Sequence, residues 1–271
     1  LPIFDKPLIY YPLSTLMSIG IKEILIISSP KELPSFINLL GNGSNLGIKI
    51  LYEKQDKPNG IAESFIIGKK FIGQEKVALI LGDNIFYGLN FNSIKKNLRN
   101  LKGGHIFLYP VPDPQRYGVA KINLKNKISS IIEKPKENIS DLAITGLYFY
   151  DNNVIKISQN LKPSKRKELE ITDVNKYYLK KGMLNFSKLD KGDVWLDAGT
   201  HTSLLQASQF VQTIQARQQI NIGCIEEIAF QQKWINEKKL KMISKKYKNS
   251  YGLYLKLLLK KILINVSLLS I

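Results

Sequence analysis

Short apolar runs alternate with amphipathic stretches along the first hundred residues of the chain. The runs have the length of buried strands, whereas the amphipathic stretches repeat their apolar positions at helical spacing. Strands are predicted at residues 23–29, 47–52 and 77–81, and helices at residues 7–18, 62–72 and 91–101. This alternation is typical of βαβ units, and it favours a mainly parallel sheet with helices on both faces.

The connections become shorter after Gly103, which favours an antiparallel or mixed extension of the sheet. Further strands are predicted at residues 105–111, 119–122, 128–133, 143–150 and 184–189, and further helices at residues 152–161, 168–180, 200–218 and from 226 onward. The pattern therefore predicts an α/β fold with a Rossmann-like mixed, mainly parallel sheet flanked by helices. We expect an α/β domain at residues 1–222 and a small helical C-terminal appendage with an atypical apolar tail at residues 223–271.

Composition narrows the possible partners. The net charge is +18, but the lysines are spread along the whole chain without a nucleic-acid recognition motif, so no nucleic acid is expected as a partner. The apolar tail is interrupted by Lys260 and Lys261 and is shorter than the roughly 20 residues of a membrane span, so no membrane partner is expected. A single cysteine, Cys224, and a first segment without a secretory signal pattern indicate a cytoplasmic protein.

Two aspartates follow apolar strands at glycine-flanked turns. The strand at residues 77–81 leads into Gly82 and Asp83, and Asp197 follows a second apolar run. Ligands of open α/β sheets bind beyond the carboxyl ends of the strands, where a metal ion or a phosphate would meet these side chains. Two carboxylates, completed by water and phosphate oxygens, are a usual set of ligands for Mg²⁺. Two unrelated turn residues would give the same pattern, because the chain has 22 acidic residues.

Two further segments carry polar groups at predicted strand ends. Glu133 and Lys134 lie just before Pro135, and such a pair can accept sugar hydroxyls and bind phosphate, although a solvated ion pair has the same sequence. Gln55 can pair with the edge of a nucleobase, and Gly60 opens a helix whose N–H groups can bind a ligand. An ordinary strand-turn-helix junction fits this second segment equally well.

Taken in order, these segments resemble the glucose-1-phosphate thymidylyltransferases of the sugar-nucleotide transferase superfamily. The resemblance covers nearly the whole chain, and several of the matching strings are long and family-specific. They are residues 2–16 (PIFDKPLIYYPLSTL), 81–88 (LGDNIFYG), 116–119 (RYGV), 133–135 (EKP), 145–151 (TGLYFYD), 168–173 (ELEITD), 195–201 (WLDAGTH), 226–230 (EEIAF) and 251–252 (YG).

The resemblance implies the fold of the nucleotide-diphospho-sugar transferases and a role for each matching residue. Asp83 and Asp197 resemble the Mg²⁺ ligands, and together with Lys134 they are expected to carry catalysis. Gln55 and Gly60 resemble the residues that read thymine, with Asp83 also at the nucleotide. Contacts to the sugar phosphate or the product are implied for Tyr117, Gly118, Glu133, Lys134, Ile144 (through its backbone), Arg166 and Trp195.

The reaction implied by the resemblance is Mg²⁺-dependent transfer of a nucleotidyl group from dTTP to α-D-glucose 1-phosphate. It gives dTDP-glucose and pyrophosphate, as the first step of dTDP-sugar (dTDP-rhamnose) biosynthesis. The sugar phosphate attacks the α-phosphorus in line, so catalysis rests on positioning and charge stabilisation rather than on a protein nucleophile. Both histidines, His105 and His201, are therefore expected to be structural. The resemblance also implies a homo-oligomer, usually a tetramer.

Three alternatives stay open at this point. A sibling enzyme could use UTP or CTP, or another sugar 1-phosphate; thymine and uracil share the edge that Gln55 would read. A non-catalytic descendant could bind the sugar nucleotide for regulation. A basic nucleic-acid binder would instead lose affinity steeply with salt.

The family pattern begins with a strand and a glycine-rich loop ahead of the segment that starts this chain at Leu1. That loop wraps the triphosphate with backbone N–H groups, and its cationic residues neutralise charge on the leaving group. We therefore expect the 271-residue chain to be an inactive or nearly inactive fragment of a working enzyme.

Overall fold

A computed structural model describes residues 1–268 of the protein. Its strands are β1 (Pro2–Ile3), β2 (Lys6–Pro7), β3 (Glu23–Ser28), β4 (Lys49–Lys54), β5 (Val77–Ile80), β6 (Asn84–Tyr87), β7 (Gly104–Pro110), β8 (Gly118–Ile122), β9 (Ile128–Glu133), β10 (Leu142–Tyr150), β11 (Leu184–Lys188) and β12 (Val194–Asp197). Its helices are α1 (Tyr10–Ile19), α2 (Leu33–Leu40), α3 (Glu63–Ile67), α4 (Lys69–Ile72), α5 (Phe91–Leu98), α6 (Asn153–Gln159), α7 (Ile171–Lys180), α8 (His201–Gln218), α9 (Ile225–Gln231), α10 (Glu237–Ser244) and α11 (Ser250–Leu268).

The chain separates into two compact units. The first consists of Leu1–Ile24, Phe36–Leu51 and Ala198–Ile271, and the second consists of Leu25–Ser35 and Tyr52–Asp197. Every site residue predicted from the sequence belongs to the second unit. A domain boundary after residue 222 stays a prediction.

The second unit is built on a six-stranded sheet in the order β11-β7-β10-β8-β9, with β5 also paired to β10. Strand β10 is central because it is apolar on both faces, and every residue after Leu142 in it is buried. Phe65 of α3 and Val174 of α7 belong to the core that packs on this sheet. The ring of Tyr150 meets Phe65 edge-on, and its hydroxyl donates to Asn175 at 2.5 Å, as a buried tyrosine requires.

The mixed sheet flanked by helices confirms the predicted α/β class, but the direction of pairing differs from the expectation. Among the described pairs of this sheet, β7–β11 is parallel, whereas β10 pairs antiparallel with β5, β7 and β8, and β8 with β9. The expected excess of parallel pairing is therefore not found in this sheet, and β5 is half-buried rather than fully buried. An apolar run of strand length does not show whether its partner strand is parallel or antiparallel, because the pattern of apolar residues reports only burial.

Two local differences concern the neighbourhood of the site. The helix predicted at residues 62–72 is divided into α3 and α4 at Gly68, where a side chain would crowd the carbonyl of Ser64. Strand β6 was not predicted, since Gly82 and Asp83 indicated a loop at that point. It forms because its apolar residues find a partner in β12, more than a hundred residues later.

The first unit contains α1 and α8–α11. Helix α1 buries Tyr11, Leu13 and Met17 and ends at Gly20, which adopts a left-handed conformation with φ 97°. A buried carboxylate, Glu226, accepts hydrogen bonds from the hydroxyls of Tyr247 and Tyr251. Part of the apolar tail lies in α11, and residues 269–271 lie outside the described residues. Within residues 1–268, no helix has the length and apolar character needed to cross a membrane.

Candidate active site

The pairing of β6 with β12 brings Asp83 and Asp197 to the same end of two strands. Asp197 is the register partner of Asn84, and Asp83 immediately precedes Asn84. Asp83 is half-buried, and the side chain of Asp197 is 15% exposed. The two carboxylates predicted from the sequence are therefore neighbours across the strand pair.

The side chain of Asn84 fixes this end of the strand pair. Its Oδ1 accepts from Nε1 of Trp195 at 2.5 Å and from the backbone N–H of Gly146 at 2.9 Å. Because Oδ1 is held by two donors, Nδ2 faces the other way, and it donates to Oδ1 of Asp83 at 2.7 Å. Asn84 is only 2% exposed, so the orientation of the Asp83 carboxylate rests on a buried, fully oriented amide.

Asp197 is held by two neighbouring donors. Arg116 donates to its Oδ2 at 2.8 Å, and the hydroxyl of Tyr117 donates to the same oxygen at 3.3 Å. Burial, followed by the negative charge of Asp197, raises the pKa of Tyr117 above its ordinary value, which keeps this hydroxyl protonated as a donor. The ring of Tyr117 also meets Trp195 edge-on, with centroids 5.1 Å apart.

Glu133 and Lys134 lie at the end of β9. Glu133 accepts a short hydrogen bond from the hydroxyl of Thr172, and a side chain on Gly118 would approach both of these groups closely. Lys134 is exposed, and its backbone has a positive φ of 43°. Its backbone N–H donates to the carbonyl of Tyr117 at 3.0 Å. The strand thus ends with a change of direction at Lys134, as the following proline predicted.

Arg166 lies among three carboxylates. Its guanidinium makes a two-point contact with Glu170, at 3.1 and 2.7 Å, and ion pairs with Glu133 at 3.5 Å and Glu168 at 3.4 Å. Burial would raise the pKa of Glu170, but hydrogen bonds from Arg166 and Ser164 and the charge of Lys134 outweigh burial and lower it. Glu170 is therefore a charged counter-ion that joins Arg166 to the Glu133 end of the site.

The charges of Glu133 and Asp83 both affect the pKa of one buried tyrosine, Tyr148. Burial first, then the charges of Glu133 and Asp83, raise the pKa of Tyr148 in β10. Tyr148 therefore lies within electrostatic reach of both Asp83 and Glu133. Ile144, which precedes Tyr148 in β10, is buried beside Gly118. The predicted sugar-phosphate residues and the aspartate pair are parts of one arrangement around the middle of β10.

Gln55 and Gly60 form a separate turn. Nε2 of Gln55 donates to Glu63 at 2.6 Å and to the carbonyl of Gly60 at 3.3 Å, and Gly60 has φ 105°. This turn is joined by main-chain hydrogen bonds to the loop that carries Arg166, through Leu169. The structure thus connects the predicted nucleotide-reading residues to the predicted phosphate-binding residue rather than directly to the aspartates.

Sequence reasoning did not identify the residues that orient the site. Asn84, Arg116, Glu170 and Thr172 each hold a predicted residue in place, and Gly146 holds Asn84. The sequence pattern gave none of the five a role. Gly146 offered a signal, because an isolated glycine inside an apolar strand indicates a close approach of another group. His105 is structural, as expected: it is buried, its Nε2 lies 3.0 Å from Oγ of Ser187, and burial lowers its pKa to about 4.

The donor set fits a magnesium ion that substrate completes. Asp83 and Asp197 are hard oxygen donors at one position, and in the described part of the chain no cluster of three or more His, Cys, Asp or Glu side chains could hold a metal alone. Mg²⁺ is commonly bound by one or two carboxylates together with phosphates and water. Two carboxylates leave coordination positions that water and substrate phosphates would fill, which matches this kind of site.

Comparison with known proteins places the chain in a family. The profile of the nucleotidyl transferase family matches residues 1–214. The chain is 49% identical over 263 residues to a glucose-1-phosphate thymidylyltransferase of Neisseria meningitidis, covering 96% of this chain and 91% of that protein. It is 45% identical over 262 residues to one of Mycobacterium tuberculosis, again covering 96% and 91%.

Solved structures agree with these sequence matches. A crystal structure from Bacillus anthracis, assigned as a glucose-1-phosphate thymidylyltransferase in complex with a sucrose, has a TM-score of 0.72 and 39% identity, covering 78% of this chain and 84% of that one. UDP-glucose pyrophosphorylase complexed with UDP-glucose has a TM-score of 0.66 at 22% identity, covering 79% and 89%, and shares the fold.

The fold and the family profile define the chain as a nucleotidyltransferase. At these identities and coverages, it belongs to the family of the glucose-1-phosphate thymidylyltransferases, which confirms the resemblance predicted from the sequence.

Proposed function

We propose that the protein transfers the thymidylyl group of dTTP to α-D-glucose 1-phosphate, giving dTDP-glucose and pyrophosphate. The main support is the pairing of Asn84 in β6 with Asp197 in β12, which brings Asp83, the residue before Asn84, to the same end of the strand pair as Asp197 and Arg116. The name carried by the relatives points to the same reaction. Nucleotidyl transfer is governed by positioning and charge, so oxygen ligands and cations are sufficient for it.

Asp83 and Asp197 are the proposed ligands of Mg²⁺. When bound, the ion would neutralise negative charge on the nucleotide phosphates. Asn84 holds one oxygen of Asp83, and Arg116 and Tyr117 hold one oxygen of Asp197. Both carboxylates are thereby oriented before substrate arrives, which lowers the cost of organising the transition state.

The sugar phosphate is assigned to the Glu133 side of the site. Glu133 would accept sugar hydroxyls, while Lys134 and Arg166 would bind the phosphate, within the setting of Tyr117, Gly118, Ile144 and Trp195. A phosphate monoester is largely dianionic at neutral pH, with a second pKa of about 6. The attacking oxygen is therefore already ionised, so the reaction needs no general base. Lys134 instead orients this oxygen for in-line attack on the α-phosphorus, and pyrophosphate leaves on the opposite side.

The nucleobase is assigned to the turn that carries Gln55 and Gly60. Thymine and uracil present the same pairing edge, so the preference for dTTP over UTP is a separate question. Adding increasing UTP to a reaction with fixed dTTP and glucose 1-phosphate measures it. An enzyme of the proposed type keeps producing mainly dTDP-glucose at equal nucleotide concentrations, and a product that is mainly UDP-glucose would reassign the enzyme.

The test of the reaction uses the complete gene product with Mg²⁺, dTTP and glucose 1-phosphate, and it follows pyrophosphate release. Asp83→Asn and Asp197→Asn are expected to lower kcat by about 10²–10³, the usual effect of losing one electrostatic contributor. Asp141→Asn, at an exposed acid outside the site, is the matched control. Calorimetric titration with Mg²⁺ and dTDP-glucose measures ligand binding to the site independently of turnover. Absence of pyrophosphate release by the unaltered protein would overturn the proposal.

One expectation from the resemblance accompanies this proposal. Light scattering on the purified protein would measure the mass of the expected homo-oligomer, and the mass of a tetramer is expected.

A further inference from the structure

Two loops of the site are joined by a pair of main-chain hydrogen bonds at Leu169. Its N–H donates to the carbonyl of Asn59 at 2.6 Å, and its carbonyl accepts from the N–H of Ala62 at 3.1 Å. Residues 55–63, here called the nucleotide loop, carry Gln55 and Gly60. Residues 164–170, here called the Arg166 loop, carry the proposed phosphate ligand. The two hydrogen bonds at Leu169, here called the clasp, therefore connect segments assigned to different substrates.

Each loop is also internally braced. In the nucleotide loop, Glu63 accepts from Nε2 of Gln55 at 2.6 Å and from Nδ2 of Asn59 at 2.8 Å. In the Arg166 loop, Glu170 accepts from the hydroxyl of Ser164 at 2.7 Å and holds the Arg166 guanidinium. Glu63 thus joins Gln55 to Asn59 of the clasp, and Glu170, which holds Arg166, directly follows Leu169 in the chain.

The clasp depends on glycine at position 60. Gly60 has φ 105°, and a Cβ placed there would lie 2.6 Å from the nitrogen and 2.9 Å from the carbonyl carbon of Leu169. These are backbone atoms, which cannot move aside as the end of a side chain can. Gly60 therefore serves the close approach of the two loops in addition to its proposed contact with the nucleotide.

We propose that the clasp couples the two substrate sites, so that a bound nucleotide strengthens the binding of the sugar phosphate. The inference rests on the proposed function, because that function assigns one substrate to each loop. Ordering one loop around its ligand lowers the entropy cost of ordering the loop that is hydrogen-bonded to it. The coupling is reciprocal, so glucose 1-phosphate strengthens nucleotide binding by the same factor.

The experiment measures this factor by calorimetry on the complete gene product in the presence of Mg²⁺. The probes are dTDP and glucose 1-phosphate; dTDP cannot release pyrophosphate, so the pair does not undergo the proposed reaction. The dissociation constant of glucose 1-phosphate is measured without dTDP and then with saturating dTDP. We expect saturating dTDP to lower it at least about fivefold, the lower end of typical coupling between sites.

Two variants break the clasp from opposite sides. Gly60→Ala introduces the clash with Leu169, and Leu169→Pro removes the N–H that Asn59 accepts. Both are expected to reduce the factor to about one, with dTDP raised until it saturates each variant. Circular dichroism and thermal unfolding establish that each variant is folded. Where one variant does not fold, the other tests the clasp, and a factor of about one on the unaltered protein refutes the proposal without either.

Two matched controls separate coupling from general damage. Gly73→Ala also introduces a side chain at a left-handed glycine, φ 57°, but no atom lies within 4 Å of it, so the factor stays as in the unaltered protein. Asp141→Asn, at an exposed acid outside both loops, is the second control, and it leaves the factor as in the unaltered protein.

The outcomes distinguish this inference from the function on which it rests. If the unaltered protein binds both ligands independently, or if folded Gly60→Ala and Leu169→Pro proteins keep the full factor, the coupling is refuted and the proposed reaction is untouched. If the unaltered protein binds neither dTDP nor glucose 1-phosphate, the proposed function falls and the coupling falls with it.

Discussion

Replacing Gly146 by alanine tests whether Asn84 organises the site. Gly146 lies in β10, and its N–H donates to Oδ1 of Asn84. A Cβ at position 146 would lie 2.5 Å from that oxygen and 2.6 Å from Cγ of the same amide, closer than Cβ atoms approach in proteins. The side chain of Asn84 cannot easily move aside, because it is buried and also accepts a hydrogen bond from Trp195. Either β10 shifts or Asn84 leaves its place.

Both outcomes carry a cost that can be estimated. Forcing an extra methyl group into a packed interior costs about 1–3 kcal/mol. If Asn84 moves away from Trp195, the buried indole N–H loses its acceptor, which costs about 1–3 kcal/mol more. If Asn84 moves, the expected destabilisation is therefore about 2–6 kcal/mol, or a fall in Tm of roughly 4–24 °C for a chain of this size. Loss of the Asn84 contact to Asp83 should also raise the Mg²⁺ concentration needed for half-maximal activity.

Urea unfolding and differential scanning calorimetry measure the stability, and Mg²⁺ titration of pyrophosphate release by the complete gene product measures the second effect. Gly82→Ala is the matched control for stability, because no heavy atom lies within 4 Å of a Cβ at that position. It is expected to change the free energy of unfolding by no more than about 0.5 kcal/mol. A Gly146→Ala protein that unfolds within one degree of the unaltered protein would refute the proposed role of Asn84.

Three further predictions concern charges and buried polar groups. Glu170→Gln keeps the shape of the Arg166 counter-ion and removes its charge, so the KM for glucose 1-phosphate should rise about tenfold in steady-state assays while the KM for dTTP stays the same; an equal rise in both would contradict this. Burial lowers the pKa of His105 to about 4 from an ordinary 6.5, so its contribution to stability is complete above pH 6.5 and is lost as the pH falls towards 4. The free energy of unfolding, measured in urea between pH 7 and pH 4.5, should therefore fall by up to about 1 kcal/mol per pH unit more than in a His105→Gln protein. Tyr251→Phe removes a hydroxyl that donates to buried Glu226 and should cost about 1–3 kcal/mol in urea unfolding, more than Tyr254→Phe, whose hydroxyl contacts the less buried Glu227.

The sequence by itself determined the elements to which the proposed chemistry is assigned. Asp83 and Asp197 could be placed because each follows an apolar run at a glycine-flanked strand end, a signal contained in a few consecutive residues. Lys134 could be placed because Pro135 must end the strand before it. The family also followed from the sequence, since long strings such as residues 81–88 and 195–201 are specific in themselves.

Only the tertiary structure decided how these elements meet. Strand β6 exists because β12 pairs with it, and that pairing makes Asp83 and Asp197 neighbours. The apolar run of β5 predicted burial, but nothing in that run indicated that its partner is the antiparallel strand β10. Asn84 and Leu169 acquired their roles in the same way, through partners far along the chain.

The physical reason lies in the range of the interactions. Periodicity and turn chemistry are local, because they depend on which faces of a few residues can be buried and on which φ angles they allow. A hydrogen bond such as that from Trp195 to Asn84 spans 111 positions, and nothing near either residue specifies its partner. The chain's local pattern thus determines which groups reach the site, whereas packing around β10 decides which of them touch.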